Sequence, residues 1–269
     1  VSDDPHKAIK IMNLNNEIKF TEKYNQNAEE TIGWMNNTDS TLQEVGDLLG
    51  EIKTNILKVG NGTYSDEEIK AIHAEMNEKI KELGECLNSS HGGRHMFSGT
   101  AVDEVPMVME EKDGVVTLKI NSTVNDKDLK AELSDGITSD YNVSAKEIFE
   151  KDGKNYLDQI NNLSKVMNDI SNGKDVEANK KELLGTVKDD IDGLFNHTID
   201  TRTTFGVRVN TAEKIKDFND ENILNMKSVL SSEQDVDHVK KFIELKSAEL
   251  VYNASVQVGA KLIQPTVLD

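Results

Sequence analysis

Apolar residues recur at alternating intervals of three and four positions in two stretches of this chain. The first stretch consists of Leu42, Val45, Leu49, Ile52, Ile56 and Val59, and the second of Leu184, Val187, Ile191, Leu194, Thr198, Thr201 and Phe205. This spacing keeps one stripe of an α-helix turned towards a partner helix that runs alongside it. The two stretches therefore predict long helices, and we expect these to pack against antiparallel partners in a bundle.

Capping and breaking residues mark where the first helices begin and end. Pro5 after Asp4 predicts a helix start, because proline is favoured at the first helical position behind an aspartate cap. The pair Asn61-Gly62 ends this helix. Ser65 and Glu68 then form the capping-box pattern, which predicts the start of a second helix.

The middle of the chain has a different pattern. Between about residues 91 and 145, turn pairs such as Asp113-Gly114 separate short alternating runs. The run from Val115 to Ile120 predicts a β-hairpin with the segment from Val105 to Glu110. Helical spacing returns after this region, and a last helix is expected from about Val236 to Ile263.

The order of these patterns predicts a mainly α fold with a β-rich insert. We expect residues 1–103 and 143–269 to form a discontinuous helical rod domain, an elongated bundle built from both ends of the chain. Residues 104–142 are expected to form a small β-rich inserted domain that projects from the tip of the bundle.

The last helix is apolar on more than one face. Its large apolar residues are Leu250, Val251, Tyr252, Val256, Val258, Leu262 and Ile263. A helix that is apolar on most sides is normally covered on most sides, which is difficult to arrange at a chain end within one subunit. We therefore expect contacts between subunits to cover these residues. Burial as the central helix of the bundle is the alternative.

Arg202 and Arg208 lie on the long helix that carries the second apolar stretch. Each can pair with a carboxylate of a neighbouring helix in the same subunit or with one in another subunit, and the sequence favours neither arrangement. We include both arginines in the candidate assembly interface.

The charge of the chain excludes two classes of partner. It contains 31 basic and 49 acidic residues and has a formal net charge of −18. Nucleic acids and anionic membrane surfaces are bound through clustered Lys and Arg, so we expect neither as a partner. No apolar run reaches the roughly 18 residues that a membrane-spanning helix needs.

Some residues are of the types found in metal or phosphate sites, but their spacing in the sequence is not that of such sites. Cys86, His91 and His95 offer three zinc ligands, but Cys86 belongs to a helical apolar stripe and no fourth ligand is suitably placed. Gly92-Gly93 lacks the spacing of a phosphate-binding loop, and we interpret it as a helix C-terminus with glycine at positive φ.

Carboxylates do not predict a site either. Asp189, Asp190 and Asp192 lack the pattern of a calcium loop, and we expect them on a solvated helix face. Residues 104–142 contain no His or Cys, so a nucleophile–base pair is difficult to build there. We therefore expect no catalytic residue, no cofactor and no metal, and we infer that the protein is not an enzyme.

Six segments match the motifs of one protein family, in the same order along the chain. They are Ser2–Pro5, Asn27–Leu49 with Trp34, Gly60–Glu67, Gly92–Thr100, Thr201–Arg208 and Tyr252–Pro265. Together they resemble the bacterial flagellar hook-associated protein type 3 family, the hook–filament junction proteins of the flagellin superfamily. The resemblance covers both ends of the chain and leaves out residues 104–142. Pro5 and the Gly92–Thr100 segment favour the junction proteins over flagellins.

The resemblance implies a structural adaptor that is secreted and lies outside the cell, at the hook–filament junction of the bacterial flagellum. The implied partners are further copies of the chain in a ring, the hook-side junction protein (hook-associated protein type 1), flagellin and a flagellar export chaperone. It also implies that this sequence, which begins at Val1, lacks an N-terminal stretch that pairs with the last helix. A flagellin filament subunit remains an alternative, as does a secreted helical adhesin or binding module.

Overall fold

The computed structural model describes residues 5–151, 153–234 and 238–262. The helices are α1 (Pro5–Asn61), α2 (Asp66–Leu87), α3 (Ala145–Phe149), α4 (Tyr156–Ser171), α5 (Val176–Glu182), α6 (Lys188–Gln234) and α7 (His238–Leu262). The strands are β1 (Ser90–His91), β2 (Arg94–His95), β3 (Met107–Lys112), β4 (Val115–Ile120), β5 (Lys130–Ser134), β6 (Ile137–Asp140), β7 (Glu150–Lys151) and β8 (Lys154–Asn155). The strands form four separate antiparallel pairs, each between consecutive strands. The mainly α fold with strands in the middle of the chain is thus confirmed.

The chain divides into two compact units. The terminal unit combines Val1–Phe20 with Asn222–Asp269, and the main unit is Thr21–Glu221. Helices α1 and α6 contribute residues to both units, whereas α2 to α5 and all of the strands belong to the main unit.

The core of the main unit contains both predicted apolar stripes. All six members of the first stripe, from Leu42 to Val59, are completely buried. The second stripe is buried from Val187 to Phe205, while Leu184 is half-buried. A sequence pattern of period 3.5 therefore located the packed faces of α1 and α6 correctly.

Within the main unit, α1 runs antiparallel to both α6 and α2. Asp39 of α1 pairs with Arg202 of α6, and Lys53 further along α1 pairs with Asp192, which comes earlier in α6. Asn55 of α1 donates a hydrogen bond to Glu75 of α2 at 3.1 Å, and Glu51, earlier in α1, pairs with Lys79, which comes later in α2. The predicted antiparallel packing of the long helices is confirmed by these pairs.

The capping box at the start of α2 is formed as the sequence predicts. The Ser65 backbone N–H donates to Glu68 Oε2 at 2.8 Å, and the Ser65 hydroxyl accepts from the Glu68 backbone N–H at 3.4 Å. The Ser65 hydroxyl also donates to Glu68 Oε2, at 2.9 Å. The two hydrogen bonds that the carboxylate accepts, from the Ser65 backbone N–H and hydroxyl, stabilise its charged form and lower the pKa of Glu68.

The hairpin β3–β4 shares its core with the helices. Met107, Val116 and Leu118 are buried in the same apolar cluster as α1, α2 and α4. The side-chain amide of Asn161 in α4 forms the two backbone hydrogen bonds that a neighbouring strand would otherwise form with Leu118. It accepts from the Leu118 N–H at 2.8 Å and donates to the Leu118 carbonyl at 3.0 Å. The first hairpin of residues 104–142 is therefore fastened to α4 along its open edge. The division into domains at residues 103 and 143 stays a prediction.

A buried polar network links the same hairpin to α2 and α4. Asn77 donates one amide N–H to the Gly114 carbonyl at 2.9 Å and lies 3.1 Å from His73 Nε2. His73 Nδ1 lies 3.2 Å from the Ser171 hydroxyl, and the Ser164 hydroxyl donates to Asn77 at 3.1 Å. Burial lowers the pKa of His73. The neutral imidazole therefore suits this network, since it offers one donor and one acceptor nitrogen.

Gly92-Gly93 forms the turn of the hairpin β1–β2, which corrects the interpretation as a helix C-terminus. Helix α2 ends earlier, at Leu87, with Asn88 as its C-cap. Both glycines have positive φ, +58° and +80°, as expected for the central pair of a tight two-residue hairpin turn. The positive φ was predicted correctly, but its structural context was not.

Candidate assembly surface

The described side chains of α7 are solvent-exposed from residue 242 to residue 258. Large apolar side chains are included: Leu250 is 71% exposed, Val251 66% and Tyr252 69%. Val256 and Val258 are more than half exposed as well. Isolated helices are only marginally stable in water, and contiguous exposed apolar surface marks an interaction site. We call the apolar side chains of α7 the terminal apolar surface.

The terminal apolar surface has two faces. One face carries Ile243, Leu250, Val251 and Val258, and the other carries Leu245, Tyr252 and Val256. Glu244 and Ser255 separate the faces on one side of the helix, and Lys246 and Asn253 separate them on the other, at about 100° of rotation per residue. A single partner helix covers only one such face.

The rest of the terminal unit exposes further apolar residues. Ile9, Met12 and Phe20 of α1 are each more than half exposed, as is Leu224 of α6. In contrast, Ile18 is buried. Apolar surface in the terminal unit is therefore not confined to α7.

Two residues predicted for the interface lie at the C-terminal end of α7 and just beyond it. Ile263 lies outside the described residues, and the side chain of Leu262, the last residue of α7, is outside them too. Their place in an interface stays a prediction, as does that of the five exposed α7 residues named with them.

Arg202 is held by an ion pair within the chain. Its Nε and Nη2 atoms donate to the two carboxylate oxygens of Asp39 at 3.0 and 3.1 Å, and Nη2 also donates to Gln43 Oε1 at 2.9 Å. These contacts favour the same-subunit pairing over pairing across subunits. Arg208, six residues further along α6, lines a cleft of about 230 Å³ together with Glu147 and His197.

One of the three aspartates at the start of α6 is not solvated. Asp190 is buried and pairs with Lys154 of β8. The prediction of a solvated face is wrong for Asp190, because β7 and β8, which the sequence pattern did not reveal, bring Lys154 to this side of α6. Asp189 remains largely exposed, while Asp192 pairs with Lys53 at 2.6 Å and with Lys188 at 2.9 Å.

Cys86 and the two histidines make separate contacts. Burial raises the pKa of the Cys86 thiol to about 12, so the thiolate that binds metal is disfavoured. His95 Nδ1 lies 2.8 Å from the Asn88 carbonyl, and His91 packs against Trp34. Within the described ranges, no three His, Cys, Asp or Glu side chains are grouped as metal ligands. Nor does any described helix have the length and apolarity needed to cross a membrane.

The main unit contains a cleft that sequence reasoning missed. It has a volume of about 520 Å³ and lies between α1, the hairpin β1–β2 and the strand β5. Trp34, which is 4% exposed, contacts His91 and Tyr141 edge-to-face, each with a ring-centroid distance of 5.8 Å. The Arg94 guanidinium lies 5.7 Å from the centre of the Trp34 ring. The turn at Gly92-Gly93 pairs Arg94 with His91 and so brings Arg94 back over α1. We call this cleft the Trp34 cleft.

Comparison with known proteins finds similarity in the N-terminal part of the chain. Residues 2–102 match the family model of the bacterial flagellin N-terminal helical region. The flagellar filament 41 kDa core protein of Borreliella burgdorferi is 26% identical over 110 residues, which cover 40% of this chain and 32% of that protein. The chain thus matches about a third of the length of the curated relatives.

Solved structures resemble a much larger part of the chain. A flagellar hook-associated protein from Vibrio parahaemolyticus has a TM-score of 0.72 and 23% identity over 86% of this chain and 99% of its own. Flagellar hook-associated protein 3 from Legionella pneumophila has a TM-score of 0.71 and 11% identity over 82% of this chain and 98% of its own. At these identities the likeness establishes a common fold.

The fold is therefore that of the flagellin-like helical proteins, and residues 2–102 are similar to the flagellin N-terminal helical region. More narrowly, it is the fold of the solved flagellar hook-associated proteins, including hook-associated protein 3. The resemblance inferred from the sequence motifs is confirmed at this level.

Proposed function

We propose that this protein is a structural, non-enzymatic component of the bacterial flagellum, located outside the cell at the junction between hook and filament. In this role it forms a ring of copies that joins the hook-side junction protein, hook-associated protein type 1, to flagellin. A flagellar export chaperone would accompany it before secretion. The observation that carries the proposal is the terminal apolar surface, an uncovered apolar helix at the end of a hook-associated protein fold.

Burial of this surface would supply the free energy for assembly. Each large aliphatic side chain that becomes fully covered contributes about 1.5–3 kcal/mol. Leu250, Val251, Val256 and Val258 are all more than half exposed in the single chain, so most of this contribution is still available to a neighbour. We infer that the helices of neighbouring copies and of the adjoining flagellar proteins cover them.

The other residues and the two domains predicted from the sequence are assigned to parts of the same assembly. We propose that Tyr252, Leu262 and Ile263 extend the interface on α7 and that Arg208 contributes to it from α6. Residues 1–103 and 143–269 would carry the contacts within the flagellum, and residues 104–142 would form the variable insert. The charge of −18 keeps separate copies apart at low salt and makes assembly dependent on ionic strength.

The test is motility in a bacterium from which the gene for this protein has been deleted. Restoring the gene should return swimming, and electron microscopy should show filaments attached to hooks. A gene with Leu250→Ser and Val258→Ser should restore neither. Ser247→Ala on the same helix is the matched control and should restore both. Attached filaments in the deletion strain itself would contradict the proposal.

A filament subunit is the second candidate function. It is favoured by the likeness of the N-terminal part to a flagellar filament core protein. Immunogold labelling of intact flagella separates the two candidates. A junction protein is labelled at one position next to the hook, whereas a filament subunit is labelled along the whole filament.

A further inference from the structure

We propose that the Trp34 cleft binds a carboxylate side chain of a neighbouring copy of this chain. The inference rests on the proposed function for the presence of neighbouring copies, and it adds a specific contact in the main unit. It is built on the hydrogen-bond donors that meet in this cleft and on the shortage of partners for them.

Two donors in the cleft have no acceptor among the residues that the structure describes. The Trp34 indole N–H is buried and makes no hydrogen bond with the described residues. Arg94 lies over the same ring, and the described part of the chain gives it no ion pair. A buried donor without an acceptor costs free energy, and a guanidinium presents up to five N–H groups in a fork that fits a carboxylate.

A third donor follows from the hydrogen bond of His91. The Asn37 amide donates to His91 Nδ1, so the neutral imidazole carries its proton on Nε2. His91 lines the cleft together with Arg94, Lys130 and Tyr141, whose side chains all carry a donor. Lys130 is already paired with Asp140 at 3.3 Å, so Arg94 is the cation of the lining that remains for an anion. Donors therefore predominate over acceptors in the cleft lining.

The acidic residues of the lining leave room for an anion. Glu132 Oε1 accepts from the Gly136 N–H at 3.4 Å, which directs its carboxylate to the turn between β5 and β6. Glu30 is exposed on α1. Neither carboxylate forms an ion pair with Arg94, so the guanidinium is available to an incoming anion.

The composition of the chain indicates where such an anion comes from. Each copy carries 49 acidic and 31 basic residues, so a neighbouring copy presents more carboxylates than cations on average. A carboxylate that is brought into contact with another copy needs a cation that is not already paired. Arg94 is such a cation, whereas the fork of Arg202 is occupied by Asp39 and Gln43.

Trp34 is the single tryptophan of the chain, so its fluorescence reports directly on the cleft. The titration uses wild-type protein at low concentration and adds increasing amounts of a Trp34→Phe variant. The added copies supply carboxylates but contribute no tryptophan emission. Light scattering of the same samples measures association independently. A second titration with succinate tests whether a free carboxylate occupies the cleft instead.

Saturable change of the wild-type emission with the Trp34→Phe copies, and none with succinate, is the expected result. Arg94→Gln in the emitting chain should weaken the effect about tenfold or more, because a charge-assisted hydrogen bond is lost. Lys112→Gln removes one positive charge at an exposed position on β3, outside the cleft, and should leave the titration unchanged.

Three results would overturn the inference. If scattering shows association while the emission stays constant, the cleft is not the contact, although the proposed function stands. If succinate saturates the cleft and the copies have no effect, the site serves a small free carboxylate. If neither addition changes the emission, the cleft does not bind carboxylates. Failure of the proposed function is recognised separately, by attached filaments in the deletion strain.

Discussion

The guanidinium of Arg202 on α6 donates two hydrogen bonds, of 3.0 and 3.1 Å, to the Asp39 carboxylate on α1. The two residues are 163 positions apart in the sequence. Because a bidentate pair between Arg and a carboxylate restricts the orientation of both side chains, this pair helps to set the register of α6 along α1 as well as attracting the two helices.

Arg202→Met should lower the free energy of unfolding by about 0.5–1 kcal/mol, since both side chains are about one-third exposed and the pair is partly screened by solvent. Urea denaturation of Arg202→Met, Asp39→Asn and the double variant measures the coupling. If the effects of the two single variants on the free energy of unfolding are additive in the double variant, Arg202 and Asp39 do not interact. Loss of self-association without a change in monomer stability would instead support a partner in another subunit.

Gly60→Ala should destabilise the main unit by about 1–3 kcal/mol, the usual cost of overpacking. A Cβ atom at Gly60 would overlap the Cγ and both Cδ atoms of Leu184, in the π-helical turn Leu183–Val187 before α6. At Gly46, on the same helix, a Cβ atom would meet open space. Gly46→Ala is the matched control.

The control should stabilise the protein by about 0.5–1 kcal/mol, because alanine is the better helix former. Thermal and urea unfolding of both variants provide the comparison. Equal effects of the two substitutions on stability would show that the packing of Leu184 does not require glycine at position 60.

The buried His73 should make the stability depend on pH. Its pKa is lowered in the folded protein, chiefly by burial, while the Gly114 carbonyl and the charge of Glu111 oppose this shift. The unfolded chain therefore binds the proton more readily. The contribution is fully present above the ordinary histidine pKa of about 6.5 and is lost as the pH falls through the lower pKa of the folded state.

Urea denaturation at a series of pH values between about 7.5 and 5 measures this dependence. His73→Gln should lower the stability at neutral pH, because partners such as Ser171 lose their hydrogen bond, but it should reduce the slope with pH. An unchanged slope would assign the pH dependence to other groups.

The two faces of α7 should each contribute to self-association. Ile243→Ser with Leu250→Ser alters one face, and Leu245→Ser with Tyr252→Ser alters the other. All four side chains are more than half exposed, so the substitutions should leave the stability of the single chain nearly unchanged. Each pair should weaken association in sedimentation experiments, and the combination should weaken it further. Association that is unchanged by one of the two pairs of substitutions would mean that only the other face is covered.

Local patterns predicted the long elements of this fold well. The stripe from Leu42 to Val59 and the capping box at Ser65 depend on neighbours within a few residues, and both were confirmed. The short elements were missed, among them α3 and the hairpin β7–β8, because five-residue helices and two-residue strands have no periodicity to detect.

The errors at Gly92-Gly93 and Asp190 have a common cause. In both cases a short hairpin, β1–β2 or β7–β8, determines which residues lie next to the residue in question. The sequence pattern does not indicate which helix such a hairpin packs against. The Trp34 cleft was missed for the same reason, since it joins residues from α1, β1–β2 and β5. By contrast, the spacing of apolar residues around α7 follows from the sequence alone, and Leu250 is exposed within the described chain. That contacts between subunits cover it stays a prediction.

The antiparallel pairing of α1 with α6 also sets the order in which the chain can fold during synthesis. Glu51 of α1 meets Lys79 of α2 after only 28 residues, so a helical hairpin can form early. The contact with Arg202 has to wait for 163 residues. Closing so long a loop is entropically costly and slows folding. In a nascent chain that has not yet reached α6, the face of α1 that later packs against α6 is consequently exposed to solvent. That face is buried only after the ribosome has added the residues of α6.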